Sequence, residues 1–326
     1  MPLKPQEMIQ TIKGPIALFP THFDHRGELD LGAMRASIQY AVETMQGKDG
    51  CIMIAGSTSE FYAMTDDESA AMIKAVVEVA GGKVPIIAGT GRAATRPTLA
   101  MSIRAQDLGI DCALISNPFY MHVTEEGLYR HFSQVAEKLD IGIMVYDNPT
   151  TSKIAIPPGL MHRLSKVPNI IAVKENTTNI ETYYWMSHAV DPADMVITCG
   201  IGHLTYLFEA PLGCPAYVTE LVCFAPGIAY AIHEASLARD YTTMKRQLDR
   251  LIPYHRFVAS CVARRSIPTV LGAEIGGKAT AVYQSILKHA MELVGLPGGI
   301  VREPLENITD GEVAELREVF SVIGII

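Results

Sequence analysis

Apolar residues in this chain gather in short unbroken runs instead of alternating with polar ones. The runs are PIALFP (15–20), CIMIAG (51–56), VPIIAG (84–89), CALISN (112–117), IGIMVYDNP (141–149), IIAVK (170–174), MVITCG (195–200) and PAYVTE (215–220). Continuous apolarity bounded by turn residues marks strands buried on both faces, as in a parallel sheet. Between the runs the pattern shifts to a helical period. TDDESAAMIKAVVEVAGG opens with a capping box, Thr65 and Glu68, and closes on glycines. TEEGLYRHFSQVAEKL begins at Thr124 with acids in its first turn, where the helix dipole favours them.

The ends of the six inner runs (Gly56, Gly89, Ser116, Tyr146, Lys174 and Cys199) follow one another at 33, 27, 30, 28 and 25 residues. Each interval holds one strand and one helix, so eight such units predict an α/β fold of the (β/α)8 TIM-barrel type. A doubly wound open sheet competes, but no G-x-G-x-x-G follows the first strand. After residue 240 the strands stop. YTTMKRQLDRLIPYHRFVASCVA, KATAVYQSILKHAMELVG and TDGEVAELREVFSVIG read as three helices, the last opened by a capping box of Thr309 and Glu312. The expected division is a barrel over 1–240 and a C-terminal three-helix extension over 241–326, packed on it.

Composition narrows the class. Hydrophobic residues are 48% and charged residues 19% of the 326, which is globular and not disordered. A net charge of −8, with no basic run, excludes nucleic acid as an expected partner, since phosphate binding needs clustered Lys and Arg. No apolar stretch has the length of a membrane span, and MPLKPQEMIQTIKG has no apolar core of a signal peptide. Six cysteines without C-x-x-C spacing read as reduced thiols. A cytoplasmic protein is expected.

Barrel enzymes carry their sites at the C-terminal strand ends. Run five ends at Tyr146, run six at Lys174, and run two leads into GSTSE with Ser57 and Thr58 beside Gly56. An amine in a partly dry cavity is easier to deprotonate and can condense with a ketone. The iminium withdraws electrons, so the neighbouring carbon can make or break a bond through an enamine. A tyrosine can shuttle the protons, and hydroxyls with backbone N–H groups can hold a carboxylate. Taken singly, a strand-end lysine is usually a solvated cap, a strand-end tyrosine a core ring, and GSTSE a turn with a helix cap. Their coincidence on one rim points to chemistry.

These residues match a known pattern. From about Gly14 to Phe320 the chain resembles the dihydrodipicolinate synthase / N-acetylneuraminate lyase family of class I, pyruvate-handling aldolases. The family's G-T-T-G-E stands here as GSTSE (56–60), its I-A-G-T-G as IAGTG within 86–95, P-Y-Y as PFY within 117–132, Y-N-x-P as YDNP (146–149) and the K-[ED] segment as VKEN (173–176). The tail VGLPGGIVREPL (294–305) fits as well. The resemblance implies that Lys174 forms a Schiff base with pyruvate or another 2-keto acid, and that Tyr146 is the proton shuttle. It implies that Ser57 and Thr58 bind the carboxylate, with Ser57 linked to the Tyr146 hydroxyl. Tyr120 would be lent across a subunit interface, which implies a homo-oligomer, usually a tetramer. No cofactor is implied, because the lysine is the electron sink.

Departures bear on the substrate. Relatives that use aspartate semialdehyde carry an arginine where this chain has Thr151, so the resemblance does not extend to lysine biosynthesis. Ser59 replaces a glycine, Asp147 replaces an asparagine, and AYVTELVCFAP (216–226) differs from the small-residue pattern after strand eight. Val218 and Thr219 are expected to line the site by position, while Glu220 and Cys223 are unfamiliar there. The expected activity is aldol cleavage or formation on a 2-keto acid. Alternatives are dehydration of a 2-keto-3-deoxy sugar acid, hydratase–aldolase action on an aromatic enone-pyruvate, and a non-catalytic keto-acid-binding paralogue. His22 with His25 and His122 with His131 have loop and helix-surface spacing, so no metal site is expected. GGK (276–278) lacks the rest of a phosphate-binding motif and reads as a helix start.

Overall fold

In the computed structural model, which describes residues 2–265 and 282–326, the eight runs form eight parallel strands. They are β1 (Gly14–Leu18), β2 (Cys51–Ile54), β3 (Ile86–Gly89), β4 (Cys112–Ser116), β5 (Gly142–Asp147), β6 (Ile170–Glu175), β7 (Val196–Cys199) and β8 (Ala216–Thr219). Each pairs with the next and β8 returns to β1, closing a barrel. The competing open sheet is thereby excluded.

The apolar residues divide into two shells. Ile16, Met53, Leu114, Met144, Ala172 and Val218 pack inside the barrel, while Ile52, Ile86, Ala113, Ile143, Val173 and Tyr217 pack outward against helices. This period-2 division hides in the sequence because both faces are apolar. Gly89 is where β3 meets the loop after β2: a Cβ there would lie 1.9 Å from the Ala55 carbonyl oxygen.

The outer layer holds α2 (Leu31–Met45), α3 (Asp66–Ala80), α4 (Thr95–Leu108), α5 (Glu125–Ala136), the one-turn α6 (Pro149–Ser152), α7 (Pro158–Ser165), α8 (Ile180–Ala189), α9 (His203–Glu209) and α10 (Pro226–Leu237). Ahead of β1 lies α1 (Pro5–Thr11), which the sequence reading had not marked as a helix. Its Met8, with Ile12 just after it, is fully buried in the interior shell, so the segment stops the N-terminal end of the barrel. Asp111 fixes that end, its carboxylate accepting from the Leu3 and Ile86 amides.

The first expected C-terminal helix is two, α11 (Tyr241–Arg250) and α12 (Ile252–Arg265). Pro253 lacks the N–H that a continuous helix needs, but it is tolerated in the first turn of a new one. Then come α13 (Tyr283–Leu293) and α14 (Asp310–Ile323), the latter opened by the Thr309–Glu312 capping box. The start of the expected helix over 278–295, with GGK at 276–278, lies outside the described residues.

A buried clamp fastens this region to the barrel. Lys288 of α13 meets Glu60 at 2.6 Å, both side chains wholly buried. Glu60 sits at φ +55°, a left-handed backbone that a non-glycine residue adopts rarely, and its second oxygen accepts from the Arg302 amide. The Phe23 ring lies between Lys288 Nζ and the Arg302 guanidinium, 4.7 and 4.1 Å from its centroid. All six cysteines are free and buried. Among the described residues no helix is long and apolar enough to cross a membrane.

Candidate active site

Strand parity decides which side chains look into the barrel. Met144 and Tyr146 of β5 and Ala172 of β6 belong to the interior shell. Lys174 shares the parity of Ala172, and Tyr146 and Lys174 are register partners on neighbouring strands. Lys174 is only 5% exposed. Its Nζ lies 4.1 Å from the centroid of the Tyr146 ring. The carboxylates of Glu60 and Glu68 are engaged by Lys288 and Arg302, and Lys174 has no ion-pair partner among the described residues.

Above the packed interior opens a cavity of about 400 Å³. Lys174, Tyr146, Ser57, Thr58, Thr151 and Val218 line it, so the structure brings together six residues that the sequence had marked. Ser57 and Thr58 come from the loop after β2, and Thr151 from α6. The hydroxyl of Tyr283, at the start of α13, lies beside Thr58, and burial pushes its pKa up.

Three expected residues stand elsewhere. Gly56 lines a separate recess of about 10 Å³ behind Tyr146. Thr219 has the opposite strand parity to Val218 and does not reach the cavity; its hydroxyl meets His203 Nδ1 at 3.2 Å and accepts from the Leu221 amide. Tyr120, in the β4–α5 loop, is 78% exposed and outside the cavity. The expected link from Ser57 to the Tyr146 hydroxyl is replaced by another. Asn148 Nδ2 donates to that hydroxyl at 2.8 Å, and the Ser57 carbonyl accepts from Gln284. Asn148 is itself held as the cap of α6, its Oδ1 accepting from the Thr151 amide.

The departures are now placed. Asp147 points out of the barrel, where it accepts from Asn117 Nδ2 and the Ile156 amide, both at 3.1 Å. Ser59 donates to the Phe19 carbonyl at 2.6 Å, and Cys223 donates to the Leu18 carbonyl. These are ties within the scaffold. Glu220, by contrast, lines the cavity. Outside the barrel Asp147, Glu175 and Glu209 are buried carboxyls. Burial pushes Glu175 up to about 8 and the other two up to about 7.

Asn148, Asn176, Tyr254, His255 and Tyr283 also line the cavity, and none of them had been marked as a site residue. Tyr254, His255 and Tyr283 come from helices distant in the chain, where no period reports a neighbour. Asn148, Asn176 and Glu220 could have been found, since each follows an inward-facing residue (Tyr146, Lys174 and Val218) by two. Among the described residues no cluster of three or more His, Cys, Asp or Glu side chains could hold a metal ion.

Comparison with known proteins agrees with this architecture. The model of the dihydrodipicolinate synthetase family matches residues 11–281. A 4-hydroxy-tetrahydrodipicolinate synthase of Thiobacillus denitrificans is 37% identical over 247 residues, 76% of this chain and 82% of the relative. One from Cereibacter sphaeroides is 29% identical over 317 residues, 97% of this chain and all of the relative. Among solved structures, dihydrodipicolinate synthase from Oceanobacillus iheyensis superposes with a TM-score of 0.84 at 20% identity, covering 99% of this chain and 100% of that one. A prophage protein of E. coli K12, solved in complex with pyruvate, gives 0.82 at 23% identity, covering 96% and 99%.

Proposed function

The chain belongs to the dihydrodipicolinate synthetase family, whose members are class I lysine Schiff-base aldolases and lyases, and from there we propose that it acts on a 2-keto acid, making or breaking a C–C bond with pyruvate as donor or product. Lys174 is the nucleophile that condenses with the keto carbon. Tyr146, its hydroxyl oriented by Asn148, moves protons to and from the keto oxygen and the third carbon. Ser57 and Thr58 receive the carboxylate.

The observation that carries this reading is the pairing of Lys174 with Tyr146. Both are buried, inward-facing register neighbours on β5 and β6, with the amine 4.1 Å from the ring centroid and no ion-pair partner among the described residues. A protein that merely bound a keto acid would need neither a desolvated amine nor an oriented phenol beside it. We assign the protein to the cytoplasm, on its six free thiols, and to a homo-oligomer, a tetramer, in which exposed Tyr120 meets a neighbouring subunit. No metal or other cofactor enters the reaction.

Borohydride reduction in the presence of pyruvate, followed by mass spectrometry of the chain, tests this directly. A reduced pyruvyl adduct on Lys174 is expected, with undiminished trapping in EDTA. An unmodified Lys174 overturns the reading. The names of the relatives support a second reading, a synthase that joins pyruvate to aspartate semialdehyde. Thr151, on the cavity wall where such enzymes carry an arginine, opposes it. Turnover of that pair of substrates would restore the synthase assignment.

A further inference from the structure

Two imidazoles, His203 and His255, take no part in the Schiff-base chemistry, yet they stand at its edge. His203 opens α9 and is buried, while His255, on α12, lines the cavity. Their Nε2 atoms face each other at 3.2 Å, and His203 Nδ1 lies 3.2 Å from the Thr219 hydroxyl. With a substrate carboxylate at the β2 loop and its keto carbon at β6, the rest of the substrate has the β7–β8 rim and α12 for its wall. His255 is part of that wall.

Counting protons along this row assigns each tautomer. Thr219 is fully buried, and its hydroxyl oxygen already accepts from the Leu221 amide at 3.1 Å. Its own proton goes to His203 Nδ1, its other hydrogen-bond partner. Were that nitrogen protonated instead, the hydroxyl proton would be buried without an acceptor. Bare at Nδ1, a neutral His203 holds its proton on Nε2 and donates it to His255 Nε2. His255 in turn holds its proton on Nδ1. Burial lowers both rings to about 4, which agrees with a neutral pair. Among the described residues nothing accepts from His255 Nδ1, and that atom is not sealed from solvent. The row ends in an unmatched N–H on a residue of the cavity wall.

Resting on the Schiff-base reading above, we propose that His255 selects the aldehyde partner, its Nδ1–H donating to an oxygen that the aldehyde carries beyond its reacting carbon. The substrate class is an aldehyde with a hydroxyl or ether oxygen, preferred over an alkyl aldehyde of the same shape. His203 and Thr219 do not line the cavity and are positioning residues: they keep the His255 proton on the nitrogen that faces substrate. Without them the ring could turn a lone pair to the cavity and would accept from a hydroxyl but repel an ether.

The test uses the full-length chain and keto acids shaped like the condensation product. In each pair, 5-methoxy-2-oxopentanoate with 2-oxoheptanoate and 6-methoxy-2-oxohexanoate with 2-oxooctanoate, an ether oxygen replaces a methylene. The ether oxygen accepts a hydrogen bond and cannot donate one, so it reads a donor. The readout is the ratio of half-saturating concentrations for borohydride trapping within a pair, which cancels any general loss of binding. In His255→Phe the ratio for at least one pair should shift toward the alkyl acid by about threefold to tenfold. His255→Asn, whose amide can place an N–H where Nδ1 stood, should shift it less. Nitrogen-15 NMR of histidine-labelled protein should show protons on His255 Nδ1 and His203 Nε2, with signals assigned by their loss in His255→Phe and His203→Phe. Unchanged ratios for both pairs in His255→Phe, an equal shift in His255→Asn, or the opposite tautomers each overturn the role of His255 and leave the Schiff base standing. Failure of wild type to trap pyruvate overturns the Schiff-base reading and this one with it.

Discussion

Replacing Lys288 by methionine removes one half of the Glu60–Lys288 pair while nearly preserving the volume of the side chain. At 2.6 Å the attraction between unit charges is about 6 kcal/mol for an effective dielectric constant near 20. Part of this offsets the cost of taking both charges out of water, and breaking such a pair from one side typically costs ~3–5 kcal/mol because the other charge stays buried. Lys288 also donates to the Ile300 carbonyl and faces the Phe23 ring. Each of those losses adds on the order of 1 kcal/mol. The expected destabilisation of Lys288→Met is about 5 kcal/mol, or roughly 10 °C in Tm at ~2 °C per kcal/mol for a chain of this size. Urea and thermal unfolding followed by circular dichroism measure it. The partner variant Glu60→Gln keeps an oxygen for the Arg302 amide, and the double variant should be less destabilised than the sum of the singles by ~2 kcal/mol or more. Because Glu60 ends the loop carrying Ser57 and Thr58, Lys288→Met should also weaken pyruvate trapping. A single variant within ~1 kcal/mol of wild type, or an additive double variant, refutes the reasoning.

The remaining expectations concern pH and the site. The Arg302 hydrogen bond holds the Glu68 carboxyl down to about 2, and the Arg265 hydrogen bond lowers that of Glu312. Their folded pKa values lie below the unfolded ones, so the stability they contribute is complete above about pH 4.5 and is lost as pH falls toward about 2; Arg302→Met should flatten the Glu68 part of an acid-denaturation curve. Glu175, Glu209 and Asp147 behave oppositely. Their folded pKa values of about 8, 7 and 7 exceed the unfolded ones, so the fold holds the extra protons and loses stability as pH rises from about 4 to 8. Glu175→Gln should therefore raise Tm more at pH 8 than at pH 5. Tyr146→Phe should slow exchange of the pyruvate C3 protons with deuterium, seen by NMR, by at least about a hundredfold. Asn148→Ala, which frees the phenol without removing it, should slow it less, and Thr219→Val should leave it unchanged while lowering Tm.

The strands were legible because each run is apolar on both faces and framed by turn residues, and run length alone gave their number. Their inner and outer faces were not, since a residue such as Val173 looks like its neighbour Ala172 when both are buried. That ambiguity explains the mixed fortune of the site. Tyr146 and Lys174 were recognisable as polar groups ending apolar runs, and Val218, expected on the wall by position, lines the cavity. Thr219, one residue later, has the opposite parity and belongs to the outer scaffold. The α1 stopper escaped notice because seven residues opening on a proline carry too little periodicity. Tyr254, His255 and Tyr283 reach the cavity from α12 and α13, and only tertiary packing brings those helices to the rim.

The stopper has a kinetic meaning. With Met8 and Ile12 closing one end and the apolar interior filling the middle, the barrel is a vessel with a solid base, and Lys174 lies near the bottom of its open part. Whatever condenses with that amine blocks nothing above it, but whatever sits above it stands in its way out. On the proposed Schiff-base chemistry molecules pass in sequence: the keto acid enters before any partner, and the piece that remains attached to the lysine leaves last. In steady-state measurements the last fragment to leave should compete with the first to arrive.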